Sequence, residues 1–308
     1  MTISRRRFLT VMAGCAPSAS GARSASADGV AWHGRALGAD AEIRLFGTDE
    51  RQAQNALRAA QDTLARMERL FSLYQPTSAL NRLNESGNLM MPPEFARLIG
   101  VADRIHRLSG GLFDPTVQPL MVAQARARHG LSETDLRSLA GLIGWSKVEL
   151  KRSHLRFSVP GMAMTLNGIA QGFATDRVSE VLTAHGFDPY LVHVGEFRAG
   201  RRSSRIGIAS TKGGILERIE LENAALATSA PFGTLFENGS GHILRPDLSR
   251  AEPRWKSVTV MGRTAAEADG LSTALALTTS TDLAEKAVSE DFAQTVWLED
   301  AGGELLRI

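Results

Sequence analysis

Apolar residues in this chain recur at a period that switches from about four to two and back. Residues 50–71 place Leu57, Ala60, Leu64, Met67 and Phe71 at three- and four-residue steps, which predicts an amphipathic helix. A second helix is expected from Pro92-Pro93, with Phe95, Leu98, Ile99, Ala102, Ile105 and Leu108 on one face and Gly110-Gly111 as its stop. Residues 147–159 (KVELKRSHLRFSV) then alternate as a tight hairpin. A further helix is expected over about 168–186, and a last one in 267–277 (EADGLSTALAL). Strands are expected at 41–46 and 292–298, and near 190–194, 205–209, 215–221 and 256–261. Helices interleaved with hairpins predict an α+β fold rather than a doubly wound parallel sheet.

Several function classes are excluded at this level. No run of about 18 apolar residues exists, so a membrane-spanning helix is not expected. The formal charge of +2 is misleading, because Arg5, Arg6, Arg7 and Arg23 lie in the first 27 residues; without them 31 basic side chains face 33 acidic ones, a net of −2. That balance gives no overall electrostatic case for nucleic acid. The chain lacks HExxH, GxSxG and GxxxxGK[ST], which removes zinc-peptidase, α/β-hydrolase and P-loop readings.

The N-terminus, SRRRFLTVMAGCAPSASGARSASADG, orders a basic start, a short apolar run and a small-residue stretch ending in Ala25-Ser26-Ala27. Residues 1–27 thus read as an export signal, similar to the twin-arginine type, with a mature domain over 28–308. Cys15, the single cysteine, follows Met12-Ala13-Gly14 as in a lipoprotein cleavage box. Cleavage after Ala27 gives a soluble periplasmic protein, and cleavage before Cys15 gives a lipid-anchored one; Ala-Ser-Ala immediately before Asp28 favours the first.

Polar residues stand out in a few stretches. FSLYQPTSALNRLN (71–84) carries Ser72, Tyr74, Ser78 and Asn84, and SGGLFDPTVQPL (109–120) carries Asp114. MTLNGIAQGFATD (164–176) passes into a helix through Asn167-Gly168, where glycine lets backbone approach a ligand and a helix N-terminus favours phosphate. Taken singly, Asp114 is equally a turn cap and Asn167 equally a helix N-cap. His242 lies in the glycine-rich ENGSGHILRP. Asp269 and Thr273, four residues apart, put a carboxylate and a hydroxyl on one helix face.

In order, GRALGA (34–39), SLYQPTSALNRLN (72–84), GLFDPTVQPL (111–120), TLNGIAQG (165–172), HILRP (242–246) and ADGLSTA (268–274) resemble the successive signatures of the FAD:protein FMN transferases, the ApbE family. The resemblance implies a single α+β, T-fold-like domain of two lobes with FAD in the cleft between them. It also implies a reaction in which the FAD pyrophosphate is broken and FMN is moved to a Ser or Thr hydroxyl of a protein, with release of AMP. On this reading Asp269, Thr273 and the Gly168 carbonyl ligate magnesium. Leu37, Tyr74, Leu112, Phe113 and Asp114 flank the flavin or adenine, and Ile243 contacts the cofactor. His242 is the acid/base. Thr165 and Gln171 stand at cofactor positions where the family carries Asp and Lys or Glu.

Other departures are GEFRA (195–199) for a G-G-[DE] turn, TSAPFG (228–233) for S-G-D-Y, and Arg245 for Asp or Asn. These leave two alternatives open: a FAD-binding accessory or chaperone without turnover, and a magnesium-dependent FAD pyrophosphatase. The start GRALGADAEIRLFG resembles the NosX-like branch of nitrous oxide respiration, which implies a NosR-like periplasmic flavin domain as acceptor.

Overall fold

The computed structural model describes residues 29–47, 49–249 and 251–308. The export-signal reading, with Cys15, lies outside these residues. The strands are β1 (Val30–Ala36), β2 (Ala39–Leu45), β3 (Asn88–Met90), β4 (Val148–Lys151), β5 (His154–Phe157), β6 (Tyr190–Val194), β7 (Glu196–Ala199), β8 (Ser204–Ala209), β9 (Ile215–Leu221), β10 (Ala225–Ser229), β11 (Ser257–Gly262), β12 (Thr295–Glu299) and β13 (Leu305–Arg307). The helices are α1 (Glu50–Phe71), α2 (Ala79–Ser86), α3 (Pro93–Leu108), α4 (Gln118–Arg126), α5 (Glu133–Ala140), α6 (Ala170–Ala184), α7 (Ala265–Leu275) and α8 (Asp282–Ser289).

Eight strands form one sheet in the order β1-β2-β6-β7-β10-β11-β12-β13, with every neighbouring pair antiparallel. The period-two rule sorts its side chains. Tyr190, Val192, Val194, Val296 and Leu298 join the main core beneath α1, α6 and α7. Leu191, Leu226 and Trp297 point the other way and pack with Ile206, Ile208 and Leu221 of the β8–β9 hairpin. A sheet buried on both faces explains why all five residues of β12 are buried. The fold is α+β, as the mixed periodicity predicts.

The helix α1 spans the residues that its apolar period marks, capped by Asp49, whose carboxylate accepts the Arg51 and Gln52 amides. Phe71, at its buried end, packs tilted against Phe95 and edge-to-face against Phe173 at centroid distances of 5.6 and 5.7 Å. The expected hairpin at 147–159 is β4–β5, joined by β3 into a separate three-stranded sheet.

Two expectations need correction. Asn167 is not a helix N-cap: α6 is preceded by Ile169, with no side-chain cap, and the Asn167 amide instead donates to Thr165 Oγ1 at 3.3 Å. The helix expected at 267–277 is α7, which begins at Ala265 because Thr264 accepts the Glu267 amide and sets the first turn earlier, and it is not the last, since α8 follows it.

Candidate active site between the α6 and α7 helix starts

Small residues bring α6 and α7 together. A Cβ on Gly172 would lie 2.2 Å from the Ala265 carbonyl oxygen, so the helices touch backbone to backbone only because Gly172 has none. Across that contact each helix caps the other. The Asp269 carboxylate of α7 accepts the Gly172 amide of the first turn of α6 at 3.0 Å. The Asp176 carboxylate of α6 accepts the Ala265 and Ala266 amides at the start of α7 at 2.8 and 2.9 Å. The missing local cap of α6 is thus supplied from the neighbouring helix.

One turn beyond Asp269, the Thr273 hydroxyl lies 3.4 Å from the Gly168 carbonyl oxygen. A Cβ on Gly168 would sit 2.8 Å from Thr273 Oγ1, which restricts the position to glycine. Ser229, at the end of β10, joins the group with its hydroxyl 3.3 Å from Thr273 Oγ1 and 2.8 Å from Ser272 Oγ. The three residues expected to ligate metal are therefore brought together, with the Ser229 hydroxyl added.

The electrostatics are unbalanced. Burial pushes the Asp269 carboxyl well above its ordinary range, against the pull of the Gly172 amide, and the nearby Asp176 raises it further. Burial, and then the charge of Asp269, also raises Glu196, whose carboxylate accepts the Thr228 amide at 3.1 Å. Asp176 is raised to about 6 by burial. No basic side chain among the described residues pairs with Asp269. Among the described residues no cluster of three or more His, Cys, Asp or Glu side chains is placed to hold a metal. The donor set here is one carboxylate, one hydroxyl and one carbonyl, all hard oxygens. It suits magnesium, which keeps waters and takes substrate phosphate oxygens to fill its shell.

The other motif segments converge on the same place. Asn84 clamps the Met164 backbone from both sides, accepting its amide at 2.7 Å and donating to its carbonyl at 2.9 Å. The Thr165 amide donates to the Pro115 carbonyl at 2.8 Å, joining the segment around Asp114 to the start of α6. Gln171 donates to the Leu37 carbonyl at 3.2 Å. Gly195, the one-residue β6–β7 turn, has a φ of 83°, and a Cβ there would press on Gln171 Oε1.

Individual candidates differ in what they face. Both Asp114 oxygens are occupied locally: one accepts the Thr116 amide and hydroxyl at 2.8 and 2.7 Å, the other the Trp145 amide at 3.0 Å. Phe113 is buried, while Leu112 and Ile243 are half-buried against the main core. Tyr74 is 67% exposed. His242 lies on the excursion that leaves β10 after Ser229. Its Nδ1 faces the Thr234 carbonyl oxygen at 3.1 Å, which makes Nδ1 the protonated nitrogen and leaves Nε2 as the base. Burial lowers the pKa of its ring, which favours the neutral form. Arg245 donates to the Leu277 carbonyl at 2.8 Å and holds the chain just after α7.

Sequence reasoning passed over three contributors: Asp176, Glu196 and Ser229. Asp176 closes the quoted stretch MTLNGIAQGFATD, and Glu196 and Ser229 lie in segments read only for what they lack; their signal became visible once the helices were placed.

This geometry can be compared with known proteins. A model of the ApbE family matches residues 37–294, the stretch that holds every one of these groups. This chain belongs to the ApbE family. Its relatives include an FAD:protein FMN transferase of Klebsiella pneumoniae (strain 342), 25% identical over 314 residues, 89% of this chain and 86% of that protein. Another, from Vibrio cholerae serotype O1, is 28% identical over 225 residues, 66% of this chain and 67% of its own. Among solved structures, the flavin transferase ApbE from Vibrio cholerae superposes with a TM-score of 0.79 at 22% identity, covering 92% of this chain and 97% of that one. The ApbE protein of Thermotoga maritima gives 0.82 at 22% identity, covering 91% and 97%. These likenesses fix the fold. In this ApbE chain the stretches around Leu37, Asn84, Pro115 and Thr273 are joined by direct hydrogen bonds to the segment that runs from Met164 into α6.

Proposed function

We propose that this ApbE-family protein is an exported FAD:protein FMN transferase that attaches FMN to a Ser or Thr of a periplasmic acceptor. The observation that carries the reading is the Asp269 carboxylate: buried, raised, accepting among the described residues a single hydrogen bond, and one helical turn from the Thr273 hydroxyl beside the Gly168 carbonyl. A buried carboxylate left this short of donors is matched by a cation. Asp269, Thr273 and Gly168 would hold magnesium; when bound, it supplies Lewis-acid neutralisation of charge on the pyrophosphate oxygens. The positive end of the α6 dipole favours the same phosphates, although the Ala170 and Gly172 amides of its first turn already donate to the Leu166 carbonyl and to Asp269.

The residues of this chain then have separate tasks. Leu37, Tyr74, Leu112 and Ile243 border the flavin nucleotide. Phe113 and Asp114 hold the neighbouring loop in shape, Thr165 holds the Asn167 amide beside Gly168, and Gln171 holds the Leu37 carbonyl. The acceptor hydroxyl oxygen forms a bond to the FMN-side phosphorus. The bond from that phosphorus to the bridging oxygen breaks, and AMP leaves with that oxygen. The hydroxyl proton passes to Nε2 of His242, which is neutral and therefore able to accept it. The acceptor of this reading is a NosR-like flavin domain, and the leader over residues 1–27 supports export by the twin-arginine route.

Purified protein incubated with FAD, magnesium and a threonine-containing acceptor domain is expected to yield an acceptor heavier by one FMN unit, together with AMP. An acceptor of unchanged mass would sink the transferase reading. Free FMN without acceptor would point to a pyrophosphatase, and flavinylation equally fast with His242→Ala to an accessory role.

A further inference from the structure

Leu37 is a branched residue in a left-handed conformation, with a φ of 49°, followed by Gly38 at 84°. Together they make the two-residue turn between β1 and β2, a type of turn that favours Asn-Gly. A leucine there is strained, and strain of this kind persists only where the surroundings over-determine it. Both backbone groups of Leu37 are held from outside the turn. Gln171 donates to its carbonyl at 3.2 Å, and its amide donates to Glu68 Oε1 at 2.9 Å.

Glu68 does more than hold this turn. Its second oxygen accepts the Gln75 side-chain amide at 2.9 Å. Gln75 lies in a loop that is itself rigid: its carbonyl accepts the Ser78 amide at 3.0 Å and the Asn81 side chain at 2.8 Å, and Ser72 Oγ accepts the Tyr74 and Gln75 amides at 3.1 and 3.3 Å. One half-buried carboxylate on α1 therefore ties the Leu37 turn to the loop that presents the exposed Tyr74.

We propose that Glu68 is a positioning residue for FAD: its carboxylate fixes the spacing between Leu37 and Tyr74, so that the two side chains are set for the flavin nucleotide before it binds. This rests on the reading that Leu37 and Tyr74 border that nucleotide. Pre-arranged contacts act on affinity, because the ordering cost is met in the free protein. Glu68 touches no reacting atom, so the turnover of loaded enzyme does not depend on it.

The test cuts the arms of the bridge. Glu68→Leu removes both acceptors, whereas Glu68→Gln keeps an acceptor for the Leu37 amide and, with the Gln75 amide turned over, donates to Gln75 Oε1. The FAD dissociation constant is expected to rise about tenfold in Glu68→Leu, with kcat at saturating FAD within about twofold of wild type, and to stay within about threefold of wild type in Glu68→Gln. Gln75→Leu, which cuts only the arm to the Tyr74 loop, should weaken FAD binding about as much as Glu68→Leu. A purely structural role would show the same loss in thermal stability as in affinity, so unfolding midpoints are measured beside the binding curves. FAD bound by Glu68→Leu as tightly as by wild type, or by Glu68→Gln as weakly as by Glu68→Leu, overturns the proposal. Leu37→Ala and Tyr74→Ala separate it from its premise. If these two bind FAD normally, the premise fails and the proposal with it; if they bind weakly while Glu68→Leu binds normally, only the positioning role fails.

Discussion

Asp269 and Glu299 are both buried carboxylates, and the structure treats them in opposite ways. Glu299, at the end of β12, accepts Ser210 Oγ at 2.6 Å, Ser257 Oγ at 2.8 Å, and the Thr211 amide and hydroxyl at 3.1 Å each. Desolvation works to raise it, yet these donors together hold it below the ordinary glutamate range. Asp269 accepts one amide and has acids for neighbours, and stays raised. A carboxylate whose task is to fasten a loop is saturated by the protein. One that serves a site keeps capacity for something the chain does not supply. On the proposed function, this contrast is the one expected between an acid that fastens a loop and one that holds a metal.

The sharpest way to break the comparison is Asp269→Asn. Transfer of FMN should fall by about a thousandfold, the several kcal/mol that a metal contributes to such a reaction. The metal-free protein should melt no lower than wild type, since a raised carboxyl is removed; a large loss of stability instead would place Asp269 with Glu299.

Glu299→Ala should behave the other way. Removing the common acceptor leaves the Ser210, Thr211 and Ser257 donors unmatched, a cost of about 3 kcal/mol in denaturant unfolding, with transfer per folded molecule unchanged.

The two carboxylates also predict opposite pH limbs. Asp176 has a folded pKa of about 6, above its unfolded value, and Asp269 is displaced in the same direction. Their stability is therefore fully present below the ordinary aspartate range and is lost as pH rises through the folded values. Metal-free protein should accordingly become more stable as pH falls from about 7.5 to 5, with a shallower slope in Asp269→Asn. Glu299, displaced downward, contributes stability above the ordinary glutamate range that is lost as pH falls through its folded value. Thermal unfolding across pH, without metal, reads both limbs.

The smallest effect tests the fit of the site. A methyl at Gly168 would meet Thr273 Oγ1 at 2.8 Å, so Gly168→Ala should displace the carbonyl and slow transfer about tenfold while costing only about 1 kcal/mol of stability. Full activity in that variant would mean that the Gly168–Thr273 contact is not part of the site.

Much of this was legible in the residues. The period of α1 and α3, the β4–β5 hairpin and the close Asp269–Thr273 pair follow from local rules that a short window satisfies. The short strands β7 and β13 were not legible, because EFRA and LLR carry no alternation a window can detect; β7 places Glu196 and Arg198 toward the helices, and partner strands decide that. The site was half legible. The neighbourhood of Gly168, Asp269 and Thr273 could be expected from the resemblance, yet the contacts of Glu68, Asp176 and Glu196 could not, since each is set by an element distant in sequence.

The sequence alone determined the α+β class, the long amphipathic helices and the placing of Asp269 one helical turn from Thr273, because periodicity and spacing are properties of the chain itself. Only the tertiary structure decided that α6 and α7 cap each other through Asp269 and Asp176, and that Asp269 is left short of donors. Burial and the number of hydrogen-bond partners exist only once distant segments have met.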